Sequence, residues 1–404
     1  MRVPVAWRQR EVIRLDLVAD AGPPETPTYG VGGLPQRTQL VAAEGAFVVV
    51  GAVPREADGV DAVVARRYRL DGIPEGDAVL VAAPRASVLS LAADAQGDRI
   101  WVAFTTQRDS ARQTEARAVR ADLGAVGPTL RVSAHREADD GPPVLAIEAR
   151  DDGGASVFAA TRPVHVSAAE LARQEAAREG SGGAPSANPS VTARVFDLGA
   201  GAAPALRFVW RSEVSLALYS EGVSLAELPW SARWVSTPAG RLVATFVAEG
   251  LDDGNYLLSP LAPGATRVGP MSPVIGYRDG IVYAAHHGGD RTALEAVALG
   301  AGPDGGVGFV AGRARPLGDD RSATLGCSET QLTWGQTSVA DARGQLDLGP
   351  LLGQRLVGRP LPTHTMRWSP EGLVAVDATH GLEQPRLMRW RCLGARLQRV
   401  DAAP

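Results

Sequence analysis

The chain has 404 residues, 45% of them hydrophobic, and a formal net charge of -4. This composition predicts a folded protein with a large core, and it excludes a global electrostatic attraction to nucleic acid or to an anionic membrane. All 41 basic residues are arginine. A lysine Schiff base and a Walker-type phosphate loop are therefore excluded as well.

Two further features bear on the compartment. No apolar run approaches the roughly 18 residues that a membrane helix needs, and the first twenty residues carry too many charges for a signal-peptide core. The sequence therefore predicts a cytoplasmic protein, or a periplasmic or secreted one whose export signal has been trimmed. Cys327 and Cys392 are the only cysteines. We expect both to be buried free thiols, because free cysteine packs as a small apolar group.

Along the chain, residues 1–37 contain one predicted strand and a linker rich in proline and glycine. From residue 38 onwards, short apolar runs alternate with clusters of Gly, Pro, Asp and Ser, a pattern typical of an all-β protein. The clearest unit covers residues 87–134, where four predicted strands follow one another with short turns. Such a unit is expected to form one antiparallel meander.

A short segment recurs at the ends of these units. An apolar strand, then Asp-Leu-Gly or Ala-Leu-Gly, then another strand occurs around residues 122–124, 197–199 and 298–300. Looser copies lie at residues 345–349 and 391–394. A unit that returns every roughly forty to fifty residues indicates a repeat architecture.

The four-strand pattern can be repeated over the rest of the chain. Its units begin near residues 38, 87, 143, 231, 272, 323 and 363. Second strands such as residues 99–104 are apolar on both sides and must be covered on both faces. Radially packed sheets provide that cover. We predict a β-propeller over residues 38–404 with seven four-stranded blades; six or eight are alternatives, because strands within residues 211–229 are unplaced.

One segment interrupts the pattern in the third blade. Ser167 and Glu170 form a capping box, good helix formers follow, and Gly180 ends the run. The next ten residues are rich in Gly, Pro and Ser. Residues 167–190 are therefore predicted to be a short helix with a flexible tether, inserted between strands. It is either a tolerated insertion or a lid or docking helix.

The turn and strand at residues 94–103 read Asp-Ala-Gln-Gly-Asp-Arg-Ile-Trp-Val-Ala. This segment resembles the first turn and second strand of many β-propeller repeats, including those of the lyase and gluconolactonase types. The resemblance implies a propeller fold. The signatures of WD, kelch and sialidase-type repeats are absent, so no family's catalytic residues are carried over.

The histidines suggest where chemistry would occur. In a propeller, the loops from second to third strands and the loops between blades open on one face, and all six histidines are predicted to lie in such loops. Histidine with carboxylates suits a divalent metal or acid–base work, although loops are polar in any case. The predicted ligand-binding residues are His286, His287, Asp290, Arg291, His364, His380, Asp319, Asp320, His135 and Asp139.

Because no catalytic motif is recognisable, the sequence predicts a non-enzymatic binding or interaction scaffold. Its ligand would be a protein segment or a small polar molecule at the mouth of the channel, and the protein would be a monomer that binds no nucleic acid. The alternative is a metal-dependent hydrolase or lyase on the same face. A third interpretation is a structural component that docks through residues 167–190.

Overall fold

The computed structural model describes most of the chain after residue 37. The described residues are 38–54, 61–71, 73–108, 111–135, 144–161, 190–199, 203–213, 230–237, 240–247, 254–258, 265–269, 274–278, 281–288, 291–301, 307–309, 315–319, 324–328, 330–341, 346, 348–357, 366–369, 371–377 and 386–400. These residues are almost entirely β-strands, which confirms the all-β prediction. The predicted N-terminal strand and residues 167–189 of the predicted insertion lie outside them, and Ser190, the last residue of that insertion, begins a strand.

The strands form seven sheets within the described residues. The first sheet consists of β1 (Thr38–Ala43), β2 (Ala46–Pro54), β3 (Asp61–Arg69) and β4 (Pro74–Ala82). The second consists of β5 (Ser87–Gln96), β6 (Arg99–Arg108), β7 (Ala111–Arg120) and β8 (Leu130–His135). The third consists of β9 (Val144–Ala149), β10 (Ala155–Thr161), β11 (Ser190–Leu198) and β12 (Ala205–Glu213).

The remaining sheets follow in chain order. The fourth consists of β13 (Trp230–Thr237), β14 (Gly240–Val247), β15 (Gly254–Leu258) and β16 (Ala265–Gly269). The fifth consists of β17 (Val274–Arg278), β18 (Ile281–Gly288), β19 (Arg291–Ala301), β20 (Val307–Phe309) and β21 (Arg315–Asp319). The sixth consists of β22 (Leu325–Ser328), β23 (Gln331–Trp334) and β24 (Thr337–Asp341). The seventh consists of β25 (Met366–Ser369), β26 (Gly372–Asp377), β27 (Arg386–Leu393) and β28 (Arg396–Val400).

In five of these sheets, four strands that are consecutive in the chain pair side by side and antiparallel, as expected for meanders, and the three strands of the sixth sheet pair in the same way. The recurring Asp-Leu-Gly segments at residues 122–124 and 197–199 lie where β7 and β11 end. The predicted starts of the units agree with the first strands of the observed sheets to within three residues.

The fifth and sixth sheets depart from the predicted four strands. Both β20 and β21 pair with β19, on successive stretches of it. In the described part of the sixth sheet only three strands pair, and a helix, α1 (Gly349–Val357), follows. The sequence analysis missed this helix. Its residues Leu351 and Leu352 are fully buried, and the helix contacts β18 and β19.

The core lies between the sheets. Ile100, Val102 and Phe104 of β6 belong to a buried cluster shared with the first sheet. Trp101 and Ala103 belong to another cluster shared with the third sheet. Because neighbouring residues of a strand point to opposite faces, β6 is covered on both sides. This confirms the interpretation of residues 99–104.

The first strands of the sheets lie beside one another. Contacts join β1 to β5, β5 to β9, β9 to β13 and β13 to β17. In addition, β25 of the seventh sheet contacts β1. Val374 and Val376 of the seventh sheet pack into a buried cluster with Leu40 and Phe47 of the first. The last sheet in the chain therefore packs against the first.

Cys327 and Cys392 form a disulfide, with 5.8 Å between their Cα atoms. The prediction of two free thiols is wrong, because strands that are 65 residues apart in sequence come together at the sixth and seventh sheets. Next to the disulfide, the backbone N–H of Cys327 donates to the carbonyl of Ala395. No described helix is long and apolar enough to cross a membrane.

Candidate functional site

Four of the predicted ligand-binding residues lie at one end of the fifth sheet. His286 and His287 lie near the end of β18, Arg291 begins β19, and Asp319 ends β21. Ala293 of β19 pairs with His286 on one side and with Asp319 on the other. The backbone therefore places His286 and Asp319 in one cross-strand row.

The other predicted residues are not brought to this row within the described structure. His135 ends β8 in the second sheet, where it pairs with Arg112. Asp139, Asp290, Asp320, His364 and His380 lie outside the described residues. Among the residues that are described, no group of three or more His, Cys, Asp or Glu side chains is close enough to hold a metal ion. A divalent metal stays a prediction.

A set of charged residues that the sequence analysis missed lies on the first strands. We call it the central cluster, and it consists of Asp94 on β5, Glu148 on β9, Arg233 on β13 and Arg367 on β25. These strands belong to four different sheets. Their side-by-side packing brings together residues that are far apart in sequence.

Asp94 joins the second sheet to the third. The backbone N–H of Ala149 donates to its Oδ2 at 2.9 Å. Burial raises the pKa of the Asp94 carboxyl, while hydrogen bonds from the N–H groups of Ala149 and Ala95 lower it less. Arg367 and Arg233 also lower this pKa, so both guanidinium groups act on Asp94 across sheet boundaries. The net direction is upward, which favours a protonated acid.

Glu148 supplies a second carboxylate on β9, the neighbouring first strand. It directly precedes Ala149 in β9, and only 9% of it is exposed. On the neighbouring first strand, the indole N–H of Trp234 donates to the carbonyl of Ala146 at 3.3 Å. This bond fixes β13, and with it Arg233, against β9. Asp94 thus lies within reach of the charges of Arg233 and Arg367, and the buried Glu148 lies on the strand against which Arg233 is held.

The sequence does contain a signal for this cluster. Glu148 is the only charged residue in the strand Val-Leu-Ala-Ile-Glu-Ala. A charged residue in an apolar strand is rarely buried unless it is paired or functional. Asp94 was interpreted only as part of a turn, and its convergence with the arginines depends on how the sheets pack.

The raised pKa of Asp94 predicts a pH-dependent stability difference between wild type and Asp94→Asn. Because its folded-state pKa exceeds its unfolded value, the stability it contributes is complete at low pH and is lost as pH rises through the folded-state pKa. The free energy of unfolding of wild type should therefore fall relative to that of Asp94→Asn as pH rises above the usual pKa of an aspartic acid.

Urea unfolding of both proteins between about pH 4 and pH 8 measures this difference. Asp122→Asn is a matched control, because its side chain is 54% exposed and its partners, Arg120 and the backbone N–H of Gly124, lie on the surface. The difference in the free energy of unfolding between Asp122→Asn and wild type should change much less with pH. A difference for Asp94→Asn that stays constant over the whole range would contradict the prediction.

Neither a protein-family model nor a curated protein sequence matches the chain. Solved structures similar to it include a GH43_1 enzyme from Xanthomonas citri, with 14% identity, coverage of 72% of this chain and 94% of that one, and a TM-score of 0.30. The α-L-arabinanase of Penicillium chrysogenum has 13% identity, coverage of 70% and 77%, and a TM-score of 0.35.

A third similar structure is the α-L-arabinofuranosidase of Fusarium graminearum, with 10% identity, coverage of 72% and 78%, and a TM-score of 0.37. All three are named as enzymes, which contradicts the predicted non-enzymatic scaffold, and that prediction is wrong. It rested on the regular repeat, the polar loops expected on one face and the absence of recognisable catalytic motifs. At these identities, no substrate and no residue role is carried over from the three proteins.

Proposed function

We propose that the protein is a hydrolase that cleaves a glycosidic bond with the carboxyl groups of Asp94 and Glu148. Glycoside hydrolysis generally uses two carboxyl groups with different tasks. One stays protonated and gives its proton to the leaving oxygen, and the other acts as base or nucleophile. A raised pKa suits Asp94 to the first task.

The second task falls to Glu148. Its position next to Ala149, the residue that donates to Asp94, places it on the neighbouring strand of the same cluster. Arg233 and Arg367 would hold hydroxyl groups of the substrate and balance the charge of the two carboxylates. The observation that carries the proposal is that Asp94, whose carboxyl pKa is raised, is hydrogen-bonded to Ala149 of the strand that also holds the buried carboxylate of Glu148.

The architecture that supports this site is itself a proposal. We infer that the seven sheets are seven blades of one closed propeller and that the central cluster lies at its axis. The contacts between consecutive first strands, and the contact of β25 with β1, support this arrangement.

A hydrolysis assay tests the proposed function. The purified protein is incubated with nitrophenyl pyranosides and furanosides and with polysaccharides, arabinan included because two of the similar structures are named for arabinan chemistry. Release of nitrophenol or reducing sugar should exceed that of the double variant Asp94→Asn/Glu148→Gln. Equal release by both proteins on every substrate would overturn the proposal.

The same assay addresses the metal-dependent alternative. Hydrolysis that survives in the double variant but disappears with EDTA would favour a site at the row of His286 and Asp319. Hydrolysis that is insensitive to EDTA and lost in the double variant would favour the central cluster.

A further inference from the structure

A cavity of about 320 Å³ lies against the second sheet, beside the central cluster, since Asp94 of β5 directly opposes the cavity-lining Trp101 of β6. It is bounded by the start of β6, the end of β7, the loop of residues 121–128 and Gly199 of the third sheet. None of the four residues of the central cluster lines it. Its volume is at the lower end of the range of roughly 300–1,000 Å³ that is usual for small-molecule sites.

The walls of the cavity are mostly apolar and rigid. Trp101, Val126, Pro128 and Leu130 line it. Trp101 is only 3% exposed, and its indole N–H donates to the carbonyl of Gly153 at 3.2 Å. A flat apolar group can therefore pack against this wall without displacing it.

The loop at residues 121–128, which forms one side of the cavity, is held in place by backbone hydrogen bonds. The N–H of Gly127 donates to the carbonyl of Ala118 at 2.7 Å, and the N–H of Arg120 donates to that of Ala125 at 3.0 Å. Leu123 has a φ of 59° and is 5% exposed, so its side chain is packed inward although its backbone is in the left-handed region. The cavity is thus formed before any ligand arrives.

Two arginines face each other at this cavity. Arg99 of β6 pairs directly with Arg120 of β7, and both line the cavity. Directly opposed residues share one face of the sheet, and like charges in that position destabilise it. Arg120 is partly compensated by Asp122, with 2.7 Å between Nη2 and Oδ2.

Arg99 has no such compensation. Its Nη1 donates to the carbonyl of Gly153 at 2.7 Å, which orients the guanidinium group but leaves its charge unbalanced. Among the described residues, no carboxylate forms an ion pair with Arg99. An anionic group in the cavity would relieve the repulsion between the two arginines and use the remaining N–H donors of Arg99.

We propose that this cavity binds a small organic anion with a flat apolar ring, whose carboxylate pairs with Arg99 and whose ring packs against Trp101 and Leu130. The apolar wall and the unbalanced arginine together favour a ligand that carries both features. The site uses none of the four residues of the central cluster.

Isothermal titration calorimetry with 2-naphthoate tests the proposal, with 2-naphthylmethanol as the uncharged probe. Saturable binding of one naphthoate per chain is expected, at least tenfold tighter than binding of the alcohol. Arg99→Met should remove that tenfold preference. Arg85→Met is the matched control, since Arg85 is an exposed arginine outside the cavity, and it should bind naphthoate like wild type.

A second variant blocks the cavity without touching the arginines. Ala125 is exposed and lines the cavity, so Ala125→Trp should fill the space and reduce naphthoate binding at least tenfold. The double variant Asp94→Asn/Glu148→Gln should bind naphthoate normally, which separates this site from the proposed catalytic one. No saturable binding at millimolar naphthoate, or wild-type binding by both Arg99→Met and Ala125→Trp, would overturn the proposal.

Discussion

Replacing Phe104 by alanine should lower the free energy of unfolding by about 3–5 kcal/mol. Phe104 is fully buried in the cluster that joins the first and second sheets. Truncation removes a large apolar side chain and leaves a cavity that two separate sheets cannot easily close. The effect should therefore be near the upper part of the range for core substitutions.

Urea unfolding followed by tryptophan fluorescence measures this loss. Leu206→Ala is the control, because Leu206 is 55% exposed on the outer strand β12 and should change stability by less than about 0.5 kcal/mol. If Phe104→Ala cost no more than Leu206→Ala, the packing between the first two sheets would not be a major source of stability.

Replacing Glu148 by glutamine should lower kcat on a hydrolysed substrate by roughly 10²- to 10⁴-fold, the usual contribution of acid–base catalysis. The amide keeps the size of the side chain but can neither take a proton nor attack as a carboxylate. Glu75→Gln is the control: its side chain is 42% exposed on β4, and it pairs with Arg67 at 2.8 Å. That variant should keep the wild-type kcat.

The pH profile supplies a second measurement for this prediction. Since the acid must be protonated, activity should fall as pH rises through the raised pKa of Asp94. The Asp94→Asn variant should lose most of the activity, and its remaining activity should no longer fall over this pH range. A Glu148→Gln variant that is folded and as active as wild type would exclude Glu148 from the reaction.

The fold was largely predictable from the sequence because its signals are local. The turns, the doubly apolar strand at residues 99–104 and the recurring Leu-Gly segments each occupy a few consecutive residues. The helix α1 was missed because Leu351, Leu352 and Leu356 continue a segment that resembles a looser copy of the repeat. Short apolar runs of this kind do not distinguish strand from helix.

The candidate site was far less predictable. Counting strands placed all six histidines and several acids, Asp319 among them, on one face of the predicted propeller, and this shared face stays a prediction. The central cluster combines Asp94, Glu148, Arg233 and Arg367, whose proximity depends on packing between four sheets. The disulfide was missed for the same reason, since 65 residues separate its two cysteines.

The disulfide between Cys327 and Cys392 makes the stability of the protein depend on whether its compartment is oxidising or reducing. It connects strands of the sixth and seventh sheets, the two that precede the junction with the first sheet. Disulfides persist in oxidising compartments, whereas glutathione and thioredoxin open them in a typical cytosol. In a periplasm or culture medium, the disulfide would thus hold the sixth and seventh sheets together. Where thiols are kept reduced, the same two sheets would be held together only by their non-covalent contacts.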